Sequence, residues 1–334
     1  MKVSFIIIAL NAEKYIETSL KCLQEQNYNH KDIEVILVDS NSTDRTKEIM
    51  SEFKNKNEKY FDTIKVLDNP KKTLPCGWNV ALKEVTGEAV LRVDAHSKFE
   101  KKFISQNVKE LNNGENIVGG HRISIADNEN RWQKLLLVAE ESLFGSGVAK
   151  YRRDNKKEYV KTLAHAMYRK EVFDKVGKYN ESLARTEDNE MHYRMSKAGY
   201  KFLLSPDIVS YHCARNSLKG MIKQKYGNGK WIGITMYYCP KCFSIYHFVP
   251  FLFVMAIIIS TIIACCEMPL FIELLGIAYA MFNLLNLVVI SINNGFHIEY
   301  LLLPLIFGGL HISYGVGTIV GLVKGFWYKK KNEK

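Results

Sequence analysis

Two kinds of hydrophobic pattern alternate over the first 100 residues. Short apolar runs are typical of strands buried on both faces, and segments with an apolar residue every three or four positions are typical of helices with one buried face. The apolar runs are, in chain order, VSFIII, IEVILVD, TIKVLDN and EAVLRVDA. The predicted helices between them are AEKYIETSLKCLQEQ, TDRTKEIMSEFKNK and CGWNVALKEV. The alternation predicts an α/β fold with a mostly parallel sheet covered by helices on both faces.

The middle of the chain is less regular. Residues 100–165 include the basic run KYRRDNKKEYVK, which fits either a solvated loop or a contact surface for diphosphate or anionic lipid. The stretch that follows, to about residue 206, predicts helix, loop, helix and strand.

The pattern changes again near residue 246, where three stretches of about 20 residues or more carry almost no charge. Each is long enough to cross about 30 Å of hydrocarbon. We therefore predict two domains, an α/β domain in residues 1–240 and a membrane anchor in residues 241–334. The anchor is expected to have two or three transmembrane segments and a basic tail.

The number of crossings stays open at this stage. The basic region before the first stretch and the tail WYKKKNEK should both be cytoplasmic by the positive-inside rule, yet three crossings would separate them. One stretch is therefore expected to be re-entrant or interfacial. The third, which is rich in glycine and contains Pro304, is the best candidate.

The charge of the chain fits a membrane-bound protein. There are 46 Lys and Arg against 35 Asp and Glu, a net charge of +11, and 41 of the basic residues lie before residue 246. No nucleic-acid fold signature accompanies this charge, so nucleic acid is not an expected partner. Cys239 and Cys242 form one Cys-x-x-Cys pair with no second pair, which favours ordinary thiols over a structural zinc site.

Acidic residues follow the predicted strands at the edge where open α/β sheets bind ligands. In VDSNSTD, Asp39 and Asp44 could accept hydrogen bonds from a ribose or a base, or could only cap the next helix. In RVDAHS, Asp94 and His96 project to the same side of an extended chain, which suits a divalent metal. The alternative is an Asp that caps a turn, with His96 as a bystander.

A third acidic group occurs in RTEDNEMHYRM, where Glu187, Asp188 and Glu190 precede an apolar helix face. One of these carboxylates could be a general base. Taken alone, the group is better explained as an acidic helix N-terminus favoured by the helix dipole.

Taken together, these motifs resemble the inverting glycosyltransferases of family 2, which have the GT-A nucleotide-diphosphosugar fold. The strand FIII, the turn with Asn11, DSNSTD, DAH and ED occur in the order and near the intervals of that family, over about residues 1–235. The similarity is greatest to the membrane-anchored bacterial branch that includes succinoglycan glucosyltransferases.

The resemblance implies a role for each matching position. Asp188 would be the catalytic base. Asp94 and His96 would hold Mn²⁺ or Mg²⁺, with His212 completing the metal or diphosphate site. The remaining residues implied to bind the nucleotide-sugar are Ala9, Asn11, Asp39, Asp44, Asn79 and Arg215. The sequence has Asp-x-His where Asp-x-Asp is commoner, which puts the identity of the metal in doubt.

One departure from the family pattern is informative. Processive members carry Gln-x-x-Arg-Trp after the base, whereas this chain has KQKYGNGKW, with Gln224 and Trp231 at a different spacing. The resemblance therefore implies the addition of one sugar per encounter.

The expected activity is inverting transfer of a hexose from a UDP-sugar to a hydroxyl of a polyprenyl-diphosphate-linked glycan, in capsule or exopolysaccharide assembly. The enzyme would be a multi-pass protein of the cell membrane with a cytoplasmic catalytic domain. Two alternatives stay open: a polyprenyl-phosphate sugar synthase, and a catalytically inactive membrane scaffold.

Overall fold

The computed structural model describes residues 1–126, 130–145, 149–153, 156–214 and 217–332. The chain forms two compact units, each assembled from two separate segments. The first unit comprises residues 1–125 and 149–213, and the second comprises residues 126–148 and 214–334.

The first unit is built on a mixed sheet. In the described part of this unit the strands are β1 (Val3–Ala9), β2 (Ile33–Asp39), β3 (Thr63–Asp68), β4 (Ala89–Asp94), β5 (Ser97–Phe99), β6 (Ile117–Ile125), β7 (Glu158–Val160), β8 (Ala166–Arg169) and β9 (Phe202–Cys213). Their order across the sheet is β3-β2-β1-β4-β8-β6-β9-β5, with β7 also paired to β9. The first four strands in this order are parallel, as predicted, and β8 runs antiparallel to both β4 and β6.

The helices of the two units alternate along the chain. They are α1 (Ile16–Gln24), α2 (Thr46–Asn57), α3 (Leu74–Glu84), α4 (Phe103–Asn112), α5 (Arg131–Glu141), α6 (Lys170–Val176), α7 (Glu187–Lys197), α8 (Leu218–Thr235), α9 (Val249–Cys265), α10 (Leu270–Asn294) and α11 (Leu303–Asn332). Of these, α5 and α8–α11 belong to the second unit, and the others belong to the first.

Helices cover both faces of the sheet. Along β1, Phe5 and Ile7 pack on one side with residues of α1, α2 and α4, while Ile6 and Ile8 pack on the other with residues of α3 and α7. Since successive strand residues point to opposite faces, a strand buried on both sides must be apolar throughout. This explains the uninterrupted apolar runs in the sequence.

The second unit consists of helices. Three of its segments are long and apolar enough to cross a membrane: Ile245–Cys265, Leu270–Asn294 and Ile298–Lys331. A smaller apolar core joins α5, α8, α10 and α11. The packing therefore places α5 and α8, which precede the anchor in sequence, with the apolar helices.

Candidate active site

The acidic residues at the ends of β2 and β4 lie on either side of β1. The parallel register pairs Ala9 with Asp39 and Ile8 with Asp94. Because all three strands run in the same direction, their carboxyl ends meet at one edge of the sheet. The structure thus brings Ala9, Asp39 and Asp94 together.

The loops after β1 and β2 are joined through Asn11. This residue has a positive φ of 50°, a conformation in which asparagine is enriched. Its Oδ1 accepts a hydrogen bond from the backbone N–H of Thr43 at 2.8 Å, and its own N–H donates to Ser42 Oγ at 3.0 Å. The N–H of Ser42 in turn donates to the carboxylate of Asp39 at 3.2 Å. Asn11 and Asp39 therefore form part of one hydrogen-bonded loop pair.

Asp44 has a local structural task at this edge. One carboxylate oxygen accepts from the N–H of Thr46 at 3.0 Å, and the other accepts from the N–H of Glu13 at 3.2 Å. The side chain thereby ties the start of α2 to the loop after β1. Its predicted contact with a nucleotide-sugar stays a prediction.

Asn79, on α3, is buried and contacts the loop that precedes α7. Its Oδ1 accepts from the N–H of Tyr179 and its Nδ2 donates to the carbonyl of Tyr179, both at 2.9 Å. Nδ2 also donates to Glu181 at 3.1 Å. Hydrogen bonds from Lys71 and Asn79 lower the pKa of Glu181 to about 2. Asn79 therefore positions this loop, and its contact with a donor stays a prediction.

Asp94 is held by a histidine that the sequence analysis did not identify. His165 is buried, and its Nε2 donates to Asp94 Oδ2 at 3.3 Å, while its Nδ1 lies 2.9 Å from Ser210 Oγ. Burial by itself would raise the pKa of the Asp94 carboxyl, but the hydrogen bond and charge of His165 and the charge of Arg92 hold that pKa well below its usual value. Asp94 is therefore an anion fixed at the edge of the sheet.

The two histidines predicted as metal ligands lie side by side. The pairing of β5 with β9 sets Ser97 opposite His212, and the rings of His96 and His212 meet edge to face at 4.7 Å between centroids. Within the described residues no group of three or more His, Cys, Asp or Glu is arranged to hold a metal ion as it stands. One carboxylate and two imidazoles are nevertheless ligand types that suit a borderline divalent cation.

The predicted base, Asp188, lies in the first turn of α7 and pairs with a buried arginine. The guanidinium of Arg92 donates to Asp188 and lies 3.7 Å from the carboxylate of Glu187. Arg92 also stacks over the ring of Trp78, 5.0 Å from its centroid. Burial and the negative charge of Asp188 raise the pKa of Glu187 well above its usual value.

A signal for Arg92 was present in the sequence. Arg92 and Asp94 are two positions apart in β4 and therefore project to the same face, by the argument that linked Asp94 to His96. His165 gave no comparable signal, because it reaches Asp94 only through the insertion of β8 beside β4. Arg215 lies outside the described residues.

Comparisons with known proteins bear on this arrangement. Residues 4–177 match the family model described as Glycosyl transferase family 2. A dolichyl N-acetyl-alpha-D-glucosaminyl phosphate 3-beta-D-2,3-diacetamido-2,3-dideoxy-beta-D-glucuronosyltransferase of Methanococcus voltae is 26% identical over 332 residues, which cover 97% of this chain and 98% of that protein. The succinoglycan biosynthesis protein ExoA of Rhizobium meliloti is 27% identical over 230 residues, or 67% of each chain.

A similar solved structure covers almost the whole chain. The mannosyltransferase PcManGT from Pyrobaculum calidifontis, solved in complex with GDP-Man and Mn²⁺, superimposes with a TM-score of 0.63. The match has 18% sequence identity and covers 98% of this chain and 88% of that one.

Proposed function

Because the chain belongs to glycosyl transferase family 2, we propose that it moves a hexose from a UDP-sugar to a hydroxyl of a lipid-linked glycan. The assembly of a capsule, an exopolysaccharide or a similar surface glycan is the proposed setting. The predicted GT-A fold, followed by long apolar helices, is confirmed.

The observation that carries this proposal is the contact of Arg92 with Asp188. Arg92 stands two residues before Asp94 in β4, and its guanidinium contacts Asp188 at the start of α7. The contact places the side chain of Asp188 close to the strand end where the donor is expected. Such an arrangement supports a general base acting beside a nucleotide-sugar.

The proposed reaction is a single in-line displacement. Asp188 accepts the proton of the acceptor hydroxyl as that oxygen forms a bond to C1 of the sugar. The bond between C1 and the diphosphate oxygen breaks, and the nucleoside diphosphate leaves with the electron pair. One displacement inverts the anomeric centre, so that an α-linked donor gives a β-linked product.

A divalent cation is part of the proposal. Asp94, His96 and His212 would hold it together with the diphosphate of the donor. Bound there, Mn²⁺ or Mg²⁺ would stabilise the negative charge of the departing diphosphate. His165 keeps the Asp94 carboxylate oriented and anionic, which is the task of the outer hydrogen-bond partner of a metal ligand.

The choice of a hydroxyl acceptor over a phosphate has independent support. A phosphate acceptor arrives ionised and needs no base, whereas a hydroxyl acceptor needs one, and Asp188 is the carboxylate proposed for that task. The Methanococcus voltae relative matches this chain over almost its whole length. Its name describes the transfer of a sugar, through a 3-β linkage, to a dolichyl-linked sugar phosphate. A lipid-linked sugar offering a hydroxyl is therefore the preferred acceptor.

The proposed location is the cell membrane, with the catalytic domain of residues 1–240 in the cytoplasm and residues 241–334 as its membrane anchor. UDP-sugars are cytoplasmic, and α9 and α10 expose many large apolar side chains. Exposure of that surface to water would cost tens of kcal/mol at about 25 cal/mol per Å². The protein should therefore stay in the membrane pellet after extraction with alkaline carbonate.

The test of the proposed function is transfer by membranes that contain the full-length protein. Such membranes are incubated with a panel of radiolabelled UDP-sugars and extracted lipid acceptors, with GDP-mannose as a further donor. We expect label from one UDP-sugar to enter the organic-solvent fraction in a metal-dependent reaction. Transfer from GDP-mannose alone would contradict the proposed donor, and calorimetry that detects no UDP binding with Mn²⁺ would support the scaffold alternative.

A further inference from the structure

Two helices of the second unit, α8 and α11, run parallel and in contact over four turns. Contacts recur every four residues along α11 and every four residues along α8 and the turn that follows it. The contacts pair Ser313 with Ile222, Gly317 with Tyr226, Gly321 with Lys230, Gly325 with Ile234 and Lys329 with Tyr238. The two helices therefore occupy the same level along their shared axis.

The backbones of this helix pair touch through glycines. A Cβ atom at Gly321 would lie 2.0 Å from the carbonyl oxygen of Lys230, and one at Gly317 would lie 2.2 Å from that of Tyr226. From the other side, a Cβ atom at Gly229 would lie 2.0 Å from the carbonyl oxygen of Tyr314. No side chain or lipid tail fits between the two helices, so α11 lies at the depth of α8 where they are in contact. The backbone of α11 also touches the first turn of α9, where a Cβ atom at Gly315 would lie 2.4 Å from the carbonyl oxygen of Pro250.

Helix α8 cannot lie in the hydrocarbon. Its lysines are Lys219, Lys223, Lys225 and Lys230. The helix register places them beside α11 between about residues 310 and 321, which is the middle of the third apolar segment. Lysine side chains at the centre of a bilayer are costly, and four at successive turns would add their costs.

The N-terminal part of α11 also packs against a charged helix. Leu303, Ile306 and Phe307 share a core with Leu135 and Leu136 of α5, whose sequence is RWQKLLLVAEE. The stretch of α11 before residue 310 is only about 10 Å long. It is too short to cross the hydrocarbon by itself.

Only one face of α11 is apolar and exposed. The exposed large apolar side chains of α11 are Leu305, Ile312, Val316, Val323, Phe326 and Trp327. By comparison, α9 and α10 contain no lysine or arginine. In each of the first two apolar segments 11% of an apolar 18-residue stretch is buried within the protein, against 39% of such a stretch in the third. A one-sided apolar stripe is typical of a helix lying in the membrane interface, and an exposed apolar circumference is typical of a helix surrounded by lipid.

We infer that α9 and α10 are the two membrane crossings, and that α11 lies with α8 along the membrane surface. The C-terminal lysines are then on the same side as α8. Lys330 and Lys331, with Trp327, face the anionic headgroups of the cytoplasmic leaflet, as basic and aromatic residues do at that surface. The inference rests on the proposed membrane insertion and is independent of the proposed chemistry.

Thiol accessibility in the full-length protein tests this arrangement. The first variant keeps Cys266, in the turn between α9 and α10, as its single cysteine. The second variant carries Lys331→Cys in a cysteine-free background. Both variants are expressed in a bacterial host and treated as spheroplasts with a membrane-impermeant maleimide, before and after permeabilisation. Labelling after detergent solubilisation gives the total for each site.

We expect Cys266 to be labelled in intact spheroplasts and Lys331→Cys to be labelled at least tenfold more after permeabilisation than before. Labelling of Lys331→Cys in intact spheroplasts would overturn the inference, because α11 would then cross. Protection of both sites would also overturn it, because the α9–α10 hairpin would not cross. The donor panel, run on the same membranes, reports the proposed function separately, so either proposal can fail without the other.

Discussion

The guanidinium of Arg92 donates a hydrogen bond to the carboxylate of Asp188, and the pair connects the end of β4 to the first turn of α7. Arg92 is almost fully buried, whereas about a third of the Asp188 side chain is exposed. Burial by itself would lower the pKa of Arg92, but the charge of Asp188 outweighs it and raises that pKa well above its usual value. The arginine is a permanent cation that orients an accessible carboxylate.

The neighbouring carboxyl group lies in a different environment. Glu187 is buried, and its pKa is raised by burial and by the charge of Asp188. Different environments for two neighbouring carboxyl groups are a common sign of divided acid–base roles. In the proposed reaction Asp188 is the carboxylate that accepts the proton.

The first prediction concerns Arg92→Lys. Lysine keeps the charge but lacks the planar guanidinium, so Asp188 should lose its fixed orientation. We expect kcat to fall by about 100-fold, the size of effect that a misplaced catalytic group can produce, while KM for the donor changes less than about threefold. The control is Arg169→Lys, at the opposite end of the sheet, where the arginine bonds the carbonyl oxygens of Leu111 and Glu115. An unchanged kcat in Arg92→Lys would refute the positioning role.

The second prediction concerns the metal. Asp94→Ala should abolish the Mn²⁺-dependent part of UDP binding, measured by calorimetry on the full-length protein in detergent. His96→Asp should retain part of it and shift the preference towards Mg²⁺, because a carboxylate is a harder ligand. Asp62→Ala, which removes a surface ion pair with Lys2, is the matched control. Full transferase activity in excess EDTA would contradict the assignment.

The third prediction concerns His192 and acid stability. His192 is buried against Thr162 and Tyr168, and burial lowers its pKa to about 4, with Asp188 opposing and Arg92 reinforcing that effect. Since the unfolded chain binds a proton near pH 6.5 and the folded chain resists it, the stability present above pH 6.5 is lost as the pH falls towards 4. The loss should amount to about 3 kcal/mol.

The measurement is the thermal midpoint of the detergent-solubilised protein at pH 7.5 and pH 5, for wild type and His192→Gln. The variant has no imidazole to protonate, so its midpoint should fall less on acidification. If both proteins lost the same number of degrees, His192 would not be the titrating group.

The fourth prediction concerns the contact of α8 with α11. In Gly321→Leu the new side chain must displace the backbone of Lys230, because even a Cβ atom would lie 2.0 Å from its carbonyl oxygen. Overpacking of this kind should cost about 2 kcal/mol or more, and therefore at least about 4 °C in the thermal midpoint. Gly276→Leu on α10 is the matched control, since nothing lies within 4 Å of its Cβ position. Equal midpoints for the two variants would contradict the helix contact.

Much of the first unit follows from sequence pattern. Buried parallel strands must be apolar on both faces, so β1, β2 and β4 were predictable, as was the common edge at which Asp39 and Asp94 end. Arg92 was equally predictable from its spacing to Asp94. What pattern leaves out is which distant segments meet: His165 reaches Asp94 from 71 residues away, through the insertion of an antiparallel strand.

The packing of α5 and α8 with the apolar helices could not be predicted in the same way. The glycines of α8 have a spacing typical of a helix contact surface. Their partner is the row of glycines on α11, and only the structure shows that the two rows meet. The sequences of α5 and α8 both contain charged residues, and each sequence by itself is typical of a helix in a water-soluble domain. The predicted boundary of the catalytic domain at residue 240 stays a proposal.

The central claim, and the fifth prediction, is that Asp188 is the base in transfer to a hydroxyl acceptor. Its most direct test is the single-turnover rate of full-length Asp188→Asn with saturating donor and acceptor, compared with wild type and with Glu187→Gln. Asparagine keeps the size of the side chain but accepts no proton, so we expect a loss of about 10²–10⁴-fold with UDP affinity nearly intact. Glu187→Gln keeps the size of a buried side chain that has no proposed part in the proton transfer, and it should stay within about tenfold of wild type. Near-normal turnover by Asp188→Asn, or a larger loss in Glu187→Gln, would contradict the account.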